Sequence, residues 1–216
     1  GTALDRSGLG NNGSLNGPTK PKAATGKLGQ GMKFDTNISS QNVNASSPAS
    51  LDNLNTMTIS AWVNPASSVG TGYILSKTTS LALTDGWQFT KSGTLLYFQN
   101  AFSTSWGQWV FITPLKVNQW VHVVLTYDKT SASNIPTLYL NASSTPVFPL
   151  VSPSGTTLSD DSASLNIGGV TGFTNSFNGS LDDVRIYNRI LSATEVKQLY
   201  KEGQVAVTSF TCGVST

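Results

Sequence analysis

The sequence predicts an all-β fold, an antiparallel sandwich or barrel with one short helix near its C-terminal end. Short apolar or alternating runs recur along the chain, and Ser, Thr, Asn, Gly and Pro fill the stretches between them. Only one segment carries helical periodicity and capping residues. At 216 residues the chain can bury one substantial core, and a sandwich of that length is usually a single domain.

The strand candidates follow in order. GMKFD at 31–35, MTISAWV at 57–63 and GYILS at 72–76 open the series. WQFT at 87–90, LLYF at 95–98 and WVFI at 109–112 continue it. WVHVVLTY at 120–127, PTLYL at 136–140, SLNIGG at 164–169 and DDVRIY at 182–187 complete it. The separators NPASSVGTG, TKSG, NASSTP and SPSGTTLSDDS are turn chemistry. The helix is predicted over 193–202: Ser192 caps it, Glu195 stands at its third position, and Leu191 and Val196 flank them as a staple. Val196, Leu199 and Tyr200 share one face, so the helix should lie on the sandwich, and Gly203 should stop it.

Composition excludes several functions. Charged residues make up 11% of the chain and the net charge is +2, with Lys20, Lys22, Lys27 and Lys33 only loosely scattered. Electrostatic capture of nucleic acid is not expected. No apolar run is long enough to span a bilayer, so membrane insertion is not expected either. No signal peptide precedes Gly1; export would require a signal outside this sequence. The single cysteine, Cys212, can form neither an internal disulfide nor a metal site alone, and reads as an inert residue in a tail.

The ordered landmarks resemble the laminin-G-like, concanavalin-A-like jelly-roll domains of bacterial surface and secreted proteins. They are DRSGLGNNGSLNG at 5–17, GKLGQGMKFD at 26–35, MTISAWVNP at 57–65, QWVHVVLTYD at 119–128, LYLNASS at 138–144, LNIGG at 165–169 and NGSLDDVRIYNRILSATEVKQLYKEG at 178–203. The resemblance implies a two-sheet jelly roll over 1–203, with the helix packed against the sheet's edge. The segment 204–216 departs from the pattern and reads as a final strand or a connection to a neighbouring module.

Catalysis is the least supported function. Related jelly-roll glucanases carry E-x-D-x-x-E on one strand; here the only glutamates, Glu195 and Glu202, belong to the helix. Glycosidases need two carboxylates opposed across a sugar, whereas Asp182 and Asp183 are neighbours in a strand and point to opposite faces. Asp160 and Asp161 read as solvated loop acids. His122, the only histidine, reads as a half-buried structural residue, with no nucleophile elbow to partner it.

Strand alternation places Asp182 on the face of Val184 and Ile186, and a carboxylate on an apolar face needs a partner. Backbone N–H groups of a loop can supply it, and so can a calcium ion gathering oxygen ligands. The resemblance implies a structural calcium, with Asp5 or Asp35 joining Asp182.

Two non-catalytic readings remain: a carbohydrate-binding or adhesive module of a larger secreted or surface protein, and a spacer that meets another surface protein without a glycan. A glycan binder needs aromatic faces beside hydrogen-bonding groups. Residues 86–114 hold three of the five tryptophans, Trp87, Trp106 and Trp109. In WVFI both faces are apolar, so one set fills the core and the other must meet something else. Trp106 stands among Ser and Gly in a loop, with Asn100 and Gln108 near in sequence, and the expected ligand set is Trp106, Trp87, Trp109, Asn100 and Gln108. Trp62 and Trp120 are assigned to the core. Asn12, Asn37, Asn44, Asn141 and Asn178 begin N-x-Ser sequons, which matter only in a eukaryotic secretory pathway. The expectation is a monomeric glycan-binding module within a multidomain exported chain.

Overall fold

The computed structural model describes residues 1–35 and 40–204; the Asn37 sequon, residues 205–216 and Cys212 lie outside them. The first strands are β1 (Thr2–Ala3), β2 (Gly13–Asn16), β3 (Lys22–Thr25), β4 (Gln30–Phe34) and β5 (Asn42–Asn44). Then come β6 (Thr56–Pro65), β7 (Thr71–Lys77), β8 (Trp87–Ser92), β9 (Leu95–Asn100), β10 (Gly107–Phe111) and β11 (Val121–Asp128). The series closes with β12 (Thr137–Leu140), β13 (Ser143–Thr145), β14 (Val147–Val151), β15 (Leu165–Ile167), β16 (Gly179–Tyr187) and the helix α1 (Ala193–Glu202). They form two antiparallel sheets, ordered β1-β2-β5-β15-β7-β8-β9-β10-β14 and β13-β12-β11-β6-β16-β4-β3.

Period-two alternation builds the core. In β6, Met57, Ile59, Ala61 and Val63 turn inward, and in β11 Val123, Leu125 and Tyr127 do the same. The larger sheet answers with Leu75, Trp87, Phe89, Phe98, Trp109 and Phe111. Aromatic rings lock the centre: Phe98 stacks on Trp109 at 6.1 Å and meets Tyr127 edge-on at 5.3 Å. Burial pushes the Tyr127 phenol up, and its hydroxyl has no hydrogen-bond partner among the described residues.

A second apolar layer covers the other side of the smaller sheet. Val124, Leu191, Val196 and Leu199 pack there, so α1 lies over the central strands β6, β11 and β16 and not at the sheet's edge. The cap forms as expected: Ser192 Oγ accepts from Glu195 N–H, and Glu195 Oε2 accepts from Ser192 N–H. Gly203 ends the helix for a different reason than a left-handed turn. Its φ is −74°, and a Cβ there would stand 2.2 Å from Trp62 Cζ2. Trp62 is buried, as expected, yet it lies in this outer layer and not between the sheets. Trp120 is only half-buried, in the turn before β11.

Asp160 corrects another reading. It is 1% exposed and sits in an ion network, 3.2 Å from Lys129 and 3.5 Å from Lys77, which also meets Asp52 at 2.8 Å. Asn53 N–H donates to Asp160 Oδ1, so the acid ties three chain segments together. Asp161, by contrast, is exposed as expected.

Candidate ligand-binding face

The larger sheet turns one continuous register row away from the core. Asn44, Asn166, Ser76, Gln88, Gln99 and Gln108 oppose one another across β5, β15, β7, β8, β9 and β10. Their strand neighbours Trp87, Phe89, Phe98 and Trp109 fill the core, so alternation sends the amides outward. Over β7 and β15 the row is closed. Ser76 and Asn166 are buried, Thr171 Oγ1 donates to Asn166 Oδ1, and a bridge from Tyr73 to Ser176 brings the 168–178 loop across. Gln88 is 3% exposed, and its amide donates to Ser80 O in the 78–86 loop.

Over β9 and β10 the row is open. Gln99 and Gln108 form a cross-strand pair, both half-exposed, and neither carboxamide has a hydrogen-bond partner among the described residues. The adjacent outward row holds Tyr97, Val110 and Phe148, in register across β9, β10 and β14. Phe148 is 51% exposed and Tyr97 half-exposed. This answers the two-faced apolar run at 109–112: Trp109 and Phe111 are core, while Val110 meets Phe148 and Ile112 is exposed.

Trp106 stands two residues before Gln108 and is half-buried. Its loop is held by backbone pairing to the segment after β14: Ser105 bridges Ser154, and Ser103 N–H donates to Thr156 O. The other expected ligand residues lie elsewhere. Trp87 and Trp109 are 3% and 1% exposed and face the core, because their strand parity is opposite to that of Gln88 and Gln108. Asn100 is buried with Trp87 and Gly107 opposite it, and its amide donates to Ala101 O. Gln99 and Tyr97 are the site residues the sequence reading lacks, although the alternation Y-F-Q-N and G-Q-W-V already aligns Tyr97, Gln99 and Gln108 on one face.

The expected calcium ligands do not converge. Among the described residues no three His, Cys, Asp or Glu side chains form a group able to hold a metal ion. Asp5 closes its own loop, accepting from Ser7 N–H, Ser7 Oγ and Asn11 N–H, and the hydroxyl of Ser7 chiefly lowers its pKa. Asp35 follows β4, where its N–H donates to Gln41 Oε1. Asp182 accepts from Leu28 N–H and Asp183 N–H, both at 2.7 Å, and is 8% exposed. These residues do not fit a calcium site.

Nor does Asp182 share a face with Ile186. A bulge between Asp182 and Arg185, with Asp183 at φ 47°, inserts one residue and breaks the alternation. Asp182 therefore pairs with Trp62 on the outer layer, while Ile186 pairs with Ile59 toward the core. Asp183 accepts from Arg185 Nε at 2.8 Å, and burial raises its pKa.

His122 is fully buried, not half-buried, on that outer layer. Its Nε2 pairs with Ser60 Oγ at 3.0 Å, its ring lies 5.0 Å from Trp62 and 6.1 Å from Tyr200, and Nδ1 has no hydrogen-bond partner among the described residues. Desolvation first, and the Arg185 charge second, push its pKa down to about 4. A neutral imidazole sealed beneath α1 cannot reach a substrate.

No curated protein matches the chain. Among solved structures, the binding domain of Paraclostridial Mosquitocidal Protein 1 is similar with a TM-score of 0.68 and 18% identity, over 92% of this chain and 49% of that one. The botulinum neurotoxin serotype G binding domain gives 0.66 and 17%, over 92% and 48%. This chain thus spans about half the length of those domains. Domain 4 of AbnA, a GH43 extracellular arabinanase from Geobacillus stearothermophilus solved in complex with arabinotriose, gives 0.62 and 20%, over 87% of both chains. At these identities the likeness is one of fold. The family described as the concanavalin A-like lectin/glucanases superfamily matches residues 36–197, and together with the two-sheet architecture this match shows that the chain belongs to it.

Proposed function

We propose that this domain is a non-catalytic carbohydrate-binding module of a larger secreted or surface protein, holding its glycan on the open outward face of β9 and β10 beside Trp106. The observation that carries the reading is the Gln99–Gln108 pair, two adjacent unpartnered carboxamides. Tyr97 flanks them on the sheet, and Trp106 precedes Gln108. Sugar hydroxyls need donors and acceptors of this kind, and sugar C–H faces need flat apolar partners. The sheet fixes the backbone spacing of the pair, so the ligand has to order only the two side chains. The solved arabinanase domain bound to arabinotriose has the same fold, and its enzyme is extracellular, which supports the glycan class and the exported setting. Glu195 and Glu202 belong to α1 and His122 is buried in the layer beneath it, all on the smaller sheet and away from this face, which supports the non-catalytic reading.

A glycan array on the wild type, followed by calorimetry on the best ligand, tests the proposal. Trp106→Ala and the double variant Gln99→Ala, Gln108→Ala should each weaken binding by about 1 to 3 kcal/mol with the melting temperature nearly unchanged. A wild type that binds no glycan would leave the spacer reading in place.

A further inference from the structure

The open face has a limited extent and a definite direction. Successive strands lie about 4.8 Å apart, so β9, β10 and β14 make a floor about 10 Å wide. On one side the floor ends at Gln88, buried and bonded to the 78–86 loop. On the other it runs out over β14, the edge strand of the sheet among the described residues. Its two flat side chains, Tyr97 and Phe148, share one register row with Val110 between them. The Gln99–Gln108 pair lies parallel to that row, two residues further along the strands. Both lines therefore cross the strands, and none of these five residues carries a charge.

From this we infer that the ligand is an uncharged, extended glycan chain lying at right angles to β9, β10 and β14. The chain enters over the β14 edge, rests its C–H faces on Phe148 and Tyr97, and turns its hydroxyls to the two carboxamides. The floor holds about two to three sugar units before the 78–86 loop stops it. Acidic glycans are disfavoured, because a carboxylate or sulfate brought here loses water and meets no cation among the five residues. The inference rests on the glycan-binding reading of this face and adds the ligand's charge, shape and direction.

Calorimetry with neutral linear xylo-, cello- and arabino-oligosaccharides, from mono- to hexasaccharide, set beside oligogalacturonates and sialylated oligosaccharides, tests it. Affinity should rise to the trisaccharide and then level off. Phe148→Ala should lower trisaccharide affinity about tenfold and leave monosaccharide affinity unchanged, while Leu95→Ala should have no effect. Leu95 also faces outward, further along β9 from Gln99 than Tyr97, so a chain running along the strands would reverse those two results. Such a reversal, or tighter binding of the acidic glycans that still depends on Gln99 and Gln108, overturns the inference and leaves the glycan-binding reading standing. Failure of every glycan to bind overturns both.

Discussion

Asp182 and Leu28 are 154 residues apart in sequence and joined by a 2.7 Å hydrogen bond from the Leu28 N–H to Asp182 Oδ2. That bond ties the β3–β4 turn to β16. Gly26 is needed beside it, since a Cβ there would stand 2.3 Å from the same oxygen. The turn in turn brings Lys27 Nζ over the Trp62 ring, 4.9 Å from its centroid. Asp182→Ala leaves the Leu28 and Asp183 amides unsatisfied and should cost about 1 to 3 kcal/mol. Thermal melts with EDTA and with calcium should show the same loss. A wild-type melting temperature that falls on chelation would return Asp182 to a metal site.

The outer layer should respond to its helix. Leu199 is 9% exposed against Val124 and Val196, so Leu199→Ala should cost about 2 to 4 kcal/mol in urea unfolding. Ser192→Ala should cost about 1 kcal/mol through loss of the cap. A neutral Leu199→Ala would mean that α1 does not dock in solution.

Trp62 and Trp106 should part company. Trp62→Ala empties the space beneath α1 and should cost about 3 to 5 kcal/mol. Gly203→Ala, pressing on the same ring, should cost about 1 to 3 kcal/mol. Trp106→Ala should leave the urea midpoint nearly unchanged; a large loss there would place Trp106 in the core.

Acid should act through His122. Its neighbours are Ser60 and Trp62 on β6, Tyr200 on α1 and the Arg185 charge on β16. The folded pKa, about 4, lies below the ordinary 6.5. Above pH 6.5 both states hold a neutral ring and stability is unaffected. As pH falls from 6.5 toward 4 the unfolded chain binds a proton that the folded one refuses, and stability drops by up to about 3 kcal/mol. Below about 4 this slope ends. Urea titrations from pH 7 to 5, above the range where ordinary carboxylates begin to titrate, should show the decline in the wild type and lose it in His122→Phe; equal slopes would exclude the imidazole.

The ion network gives a further test. Asp160→Ala strands Lys129 inside the protein, while Lys77 keeps Asp52, and should cost about 3 to 5 kcal/mol by urea unfolding; a loss below about 1 kcal/mol would mean that water reaches the cluster.

Long apolar runs and the capped helix were legible in the sequence because their signals are local. WVHVVLTY became β11 and the Ser192–Glu195 pair became a capping box for that reason. VFPLV, now β14, was hidden by Pro149, a residue that demotes a strand to an edge position. Asp160 looked like a solvated acid because its partners, Lys77 and Lys129, are remote in sequence. The bulge at Asp183 defeated the alternation that had been used to orient Asp182. The candidate face was half legible: Trp106 and Gln108 stood out beside each other, whereas Gln99 joins Gln108 only through the β9–β10 register.

The placement of β16 bears on how the chain comes to be folded. The last strand among the described residues does not join the smaller sheet at its rim; it lies between β6 and β4, both laid down far earlier. Until Gly179 and the residues after it have been synthesised, β6 and β4 each present an unpaired edge, and the outer layer has no helix. Such long-range pairing cannot form before its last partner exists, so completion of the smaller sheet waits on the C-terminal part of the chain. A nascent chain therefore holds its smaller sheet incomplete until that segment emerges, and a chain truncated before Gly179 keeps two unpaired edges, on β6 and β4, open to pairing with another chain.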